Sequence, residues 1–157
     1  MPKIAQIIIR TALLWLAAAL LLGALLAVQG ELPAPWSQLA LHAAFYHCLM
    51  VGWVTQLIWG VAAWMFPPLT RERPRGDERL SWLAYALFNG GLALRAGSEP
   101  LQGLAGRWVG WALAGAALLQ TLAVWLIIAT LWPRVKGKAA RQPAPKAAPA
   151  EEAACRD

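Results

Sequence analysis

Two histidines, His42 and His47, are the only ones in the 157-residue chain, and both lie in a single apolar run, HAAFYHCLMVGWVTQLIWGVAAWMFP, from His42 to Pro67. Ionisable side chains at membrane depth are costly and mark functional sites, and a neutral imidazole suits a metal or a haem iron. The competing role for each is structural: an interfacial polar residue for His42, and a histidine hydrogen-bonded to a neighbouring helix for His47. At about 100° per residue, Phe45, Leu49, Trp53, Gln56, Gly60, Ala63 and Trp64 share the side of His42. His47 falls about 140° away, in line with Val51, Val54, Ile58 and Met65. One helix therefore cannot bring both rings to the same metal ion. At about 1.5 Å per residue, His42 lies about one turn inside the outer boundary and His47 roughly 12 Å below it. His42 reaches water or headgroups, so His47 is the better ligand candidate.

Arg95 and Glu99 are four residues apart and pair if their helix continues, although Pro100 ends it soon after. Arg107 opens the next apolar stretch. Two arginines near one mouth suit haem propionates, phospholipid phosphates or a salt bridge. Asn89 and Gln120 are amides in apolar surroundings, expected to hydrogen-bond between helices and to be the partners of a histidine ring.

The elements that must hold these residues are membrane helices. The chain is 59% hydrophobic and 14% charged, and four apolar stretches, at about 11–28, 39–65, 80–94 and 108–132, are of a length to cross a bilayer. The expected fold is all-α, a four-span transmembrane helix bundle over residues 1–133. The third stretch is the weakest, being interrupted by Asn89, Gly90 and Gly91, and the fourth stops at Pro133. The first has the basic start of a signal peptide, but its run is long and no good small-residue cleavage site follows, so it is expected to remain as an anchor. Gly52, Gly60 and the glycines after Asn89 permit close helix approach, or room for a flat macrocycle. Trp15, Trp36, Trp82, Trp108 and Trp132 fall near span ends and fit interfacial belts, while Trp53, Trp59, Trp64, Trp111 and Trp125 sit deeper.

Charge placement sets the orientation. Lys3, Arg10, Arg71, Arg73, Arg75 and Arg79 fall on one side with Arg134, Lys136, Lys138, Arg141, Lys146 and Arg156, and only Arg95 and Arg107 fall on the other. Retention of Lys and Arg on the inner side places both termini in the cytoplasm, with the protein multi-pass in the cytoplasmic membrane. The net charge of +6 is thus a topology signal that also suits anionic membrane lipid, and it does not point to a nucleic-acid partner. Residues 134–157, rich in Ala, Pro and charge, are expected to form a disordered cytoplasmic tail. Cys48 lies in a span and Cys155 in this tail, which argues against a disulfide between them. The sequence contains no internal repeat, zinc spacing, P-loop, dinucleotide fingerprint or nucleophile elbow.

HCLMVGWVTQLIWGVAAWMFP, from His47 to Pro67, resembles the histidine-bearing helix of haem-copper oxidase subunit I, in particular its cbb3-type and nitric-oxide-reductase branches and the related NnrS membrane proteins. FNGGLALRAGSEP, Phe88 to Pro100, is similar to the helix that follows in small members of that group. The likeness covers two helices, less than half of the chain. It implies His47 as an axial ligand of haem b near the outer face, Arg95 and Arg107 near the propionates, and association with a respiratory or denitrification complex. The chain departs from the large oxidases in having few spans and no further histidines for a second axial ligand, a high-spin haem or copper. Reduction of oxygen or nitric oxide by this chain alone is therefore not expected. His42 reaching the same iron is opposed by the wheel. A homodimer contributing one His47 per chain, a partner subunit, or haem with a single protein ligand would make up the deficit. The alternative is a non-catalytic membrane subunit or packing module without a cofactor. A transporter or channel has little support, because no acidic residue falls within the four stretches.

Overall fold

A computed structural model describes residues 1–28, 38–67, 77–102 and 106–135, and among these the chain is helical, with no strand. The helices are α1 (Lys3–Val28), α2 (Gln38–Met65), α3 (Glu78–Ser98) and α4 (Arg107–Val135). A 3₁₀ turn, Glu99–Leu101, follows α3 directly. Three of the helices, α1, α2 and α4, are long and apolar enough to cross a membrane; α3 is 21 residues long and less apolar. Trp36, Arg71, Arg73, Arg75, Cys155 and the expected tail from residue 136 lie outside the described residues.

The boundaries differ from the sequence expectation where tertiary contacts extend a helix. α1 begins at Lys3 rather than near Thr11, because its first turns carry Ile4 and Ile8 into a buried cluster with Trp59 and Ala84. α3 begins where the Asp77 carboxylate accepts from the Arg79 amide at 3.0 Å, a side-chain cap on one of the free amides of the first turn. It then continues through Asn89, Gly90 and Gly91 without a break. α4 runs past Pro133 to Val135, and the missing proline amide falls in its last turns, where it disrupts little of the ladder.

The centre of α2, His47–Thr55, is π-helical, and the Thr55 hydroxyl donates five residues back to the Met50 carbonyl at 2.9 Å. In an α-helix, residues four apart drift by about 40° per step. The wider π-turn, about 4.4 residues, drifts them the opposite way by a similar amount. The alternation keeps Ala40, Ala44, Cys48, Gly52, Gln56 and Gly60 on one buried face. The uniform wheel is corrected here: Gln56 and Gly60 do not share the side of His42, which is exposed.

α1 packs along the length of α2, and α3 along α4. The small residues of the α2 face set the first separation. A Cβ on Gly52 would lie 2.7 Å from Cβ of Trp15, and one on Gly60 would lie 2.8 Å from Cγ1 of Ile9. Gly91 lets α3 approach α4 in the same way, since a Cβ there would lie 3.0 Å from the Ala116 carbonyl oxygen. Two hydrogen bonds one turn apart join α1 to α3, Thr11 Oγ1 with the Tyr85 hydroxyl at 2.8 Å and Trp15 Nε1 donating to Asn89 Oδ1 at 2.9 Å. Trp15 is thus an interior wedge and not the interfacial residue that its position near a span end suggested. Arg134 closes the opposite corner, donating to the carbonyls of Ala63, Phe66 and Pro67 at the end of α2.

Candidate functional site

At the end of the bundle away from Arg134, four side chains from three helices meet. His47 is the first residue of the π-helical stretch, and Glu99 is the first of the 3₁₀ turn. Arg95 lies one turn before Glu99 on α3, and Gln120 comes from α4. Glu99 continues the geometry of α3, with helical dihedrals and its amide donating to the Arg95 carbonyl four residues back, and the residue is only 3% exposed. Glu99 Oε1 lies 2.8 Å from His47 Nδ1 and accepts from Arg95 Nε at 3.0 Å. Arg95 Nη1 donates to Gln120 Oε1 at 3.3 Å.

One oxygen of Glu99 therefore serves two neighbours, while Oε2 is buried without a hydrogen-bond partner. The His47 contact is an ion-pair distance out of line for a ring N–H hydrogen bond. With imidazole neutral and the carboxylate ionised, the charges of Arg95 and Glu99 cancel. His47 Nε2 has no partner among the described residues, and the side chain is 27% exposed. In metal-ligating histidines the second ring nitrogen donates to an acid; here Glu99 stands within 2.8 Å of that nitrogen without the hydrogen-bond alignment, and Nε2 is left open.

Of the residues singled out in the sequence, the structure brings together His47 and Arg95, through Glu99. His42 stands apart, exposed, with Nδ1 2.9 Å from the Gln38 carbonyl of its own helix. Arg107 is exposed at the start of α4 and pairs with no described residue. Asn89 and Gln120 are not the histidine's partners: Asn89 binds Trp15, and Gln120 binds Arg95. Sequence reasoning found the Arg95–Glu99 pair by its spacing but missed the reach of Glu99 to His47. That contact joins α2 to the end of α3, and the packing of one helix on another has no marker in the spacing of either.

Comparison of the chain with protein-family models, curated proteins and solved structures gives no match.

The residues present bear on haem in two ways. The open Nε2 backed by a carboxylate fits an axial ligand. The glycines, in contrast, offer no slot for a macrocycle, since Trp15 and Leu92 fill the space beside Gly52, and Ile8 and Ile9 that beside Gly60. A flat group on His47 must lie on the outward side of α2. Among the described residues no group of three or more His, Cys, Asp or Glu side chains gathers as a metal cage.

Proposed function

We propose that this chain is a haem-binding subunit of the cytoplasmic membrane, with His47 Nε2 as an axial ligand and the second axial position filled from outside the chain. The observation that carries the reading is the 2.8 Å contact between His47 Nδ1 and the buried carboxylate of Glu99, which leaves Nε2 open on a half-buried ring. A group on the outward side of α2 sits between chains, so a second copy of this protein or a subunit of a respiratory or denitrification complex supplies the missing ligand. Haem b held there would supply one-electron transfer. Arg95 is committed to Glu99 and Gln120, and Arg107, at the same end, is the arginine that meets a propionate or a lipid phosphate.

In this reading α3 is a fourth span, sheltered by α4 where its own apolarity falls short. Lys3, Arg10, Arg79 and Arg134 then share the cytoplasmic end with both termini, and Arg95 and Arg107 face outward. A packing module without a cofactor is the second reading, favoured by the filled spaces beside Gly52 and Gly60. An optical spectrum of detergent-purified protein, oxidised and then dithionite-reduced, separates the two. A Soret band with sharp reduced α and β bands, lost in His47→Ala, supports haem; a featureless visible spectrum after expression with ample haem supports the packing module.

A further inference from the structure

A cleft of about 450 Å³ opens between the π-helical stretch of α2 and the middle of α4, with α3 at its back. Its volume is that of a small-molecule site, which runs from roughly 300 to 1,000 Å³. Val51 and Thr55 line one side, Trp125 the other, and Phe88, Arg95 and Gln120 contribute to the rest of the lining. Thr55 and Trp125 are exposed, so the mouth faces the surroundings of the bundle, where a membrane-spanning protein meets lipid.

Hydrogen-bonding capacity in the cleft is one-sided. The Thr55 hydroxyl is already donated to Met50. Arg95 uses Nε on Glu99 and Nη1 on Gln120, while Nη2 has no partner among the described residues. The bond from Arg95 fixes Gln120 with Oε1 toward the guanidinium, and Nε2 is left buried with no acceptor. Unpaired donors in apolar surroundings are costly, and the matching occupant brings acceptor oxygens. It does not bring a charge, because Glu99 at 3.0 Å already neutralises Arg95 and a phosphate or carboxylate would be desolvated against no net positive potential. Trp125, 66% exposed, supplies aromatic surface for a ring, with the buried Phe88 behind the cleft.

We infer that the cleft binds a neutral, membrane-soluble ring carbonyl compound of the quinone class. The ring lies against Trp125, and a carbonyl oxygen accepts from Arg95 Nη2. His47 does not line the cleft, so this site stands or falls apart from haem ligation.

The full-length protein, reconstituted in zwitterionic lipid nanodiscs, is titrated with a decyl-substituted benzoquinone, and saturable binding is read by calorimetry. Gln120→Leu removes the amide that orients the Arg95 guanidinium, and Val51→Trp fills the cleft without touching the Arg95–Glu99 pair. Each is expected to weaken binding at least tenfold while keeping the wild-type helical circular dichroism, and phosphatidylglycerol or oleate is expected not to compete. Equal binding by wild type and a folded Val51→Trp, no saturable binding by wild type, or displacement by either anionic lipid overturns the inference. Saturable quinone binding by a preparation with no Soret band leaves it standing even if the haem reading fails.

Discussion

Glu99 holds the candidate site together, because a single oxygen, Oε1, faces both the ring of His47 and the guanidinium of Arg95. Removing one partner of a buried ion pair strands the other, at a cost of about 3–5 kcal/mol when both are fully enclosed. Arg95 retains some exposure, so Glu99→Ala is expected at the lower end, about 3 kcal/mol, measured as a loss of unfolding free energy in detergent. His42→Ala, on an exposed ring bonded only to its own helix, is expected to leave both stability and any haem signal unchanged. The sequence made His47 legible as the deeper of two histidines in an apolar run, and Arg95 with Glu99 as an i,i+4 pair. It did not make their union legible, since an acid flanking a span reads as a solvent-facing residue until a neighbouring helix packs over it.

At the level of elements, Gly52 and Gly60 were legible as points of close helix approach on α2, but the straight buried row they belong to was not. A uniform α-helical wheel smears Ala40 to Gly60 around the helix, and only the π-helical segment realigns them. Gly52→Ala places a Cβ 2.7 Å from Cβ and Cγ of Trp15, atoms near the backbone that have little room to yield. A loss of about 1–3 kcal/mol is expected. Gly90→Ala meets nothing within 4 Å, so the same added methyl group is expected to be neutral or to stabilise by up to about 1 kcal/mol through helix propensity. Paired thermal unfolding of the two variants checks this, and an equal loss in both would contradict the close packing of α1 on α2. Trp15 shows the same limit of sequence reading: a tryptophan near a span end has the composition of an interfacial anchor, and only its bond to Asn89 identifies it as a wedge.

For the whole molecule, helix count by apolarity and helix count by structure diverge at α3, which has polar residues along its length and packs along α4. The three apolar helices were legible from hydropathy alone, because burial in lipid is read from composition. α3 is held by partners that composition does not name. The orientation proposed from the basic residues has a direct check in Cys155, since Cys48 is buried. A membrane-impermeant thiol reagent is expected to label the protein in inside-out vesicles and to spare it in intact spheroplasts; labelling of spheroplasts would invert the topology and put Arg95 and Arg107 inside.

If His47 presents an open Nε2 to a haem iron as proposed, haemin titration of the detergent-solubilised protein reveals it. A saturable Soret band is expected for wild type and for His42→Ala, and none for a folded His47→Ala. A wild type with no saturable band, or a His47→Ala protein that binds as wild type does, would contradict it.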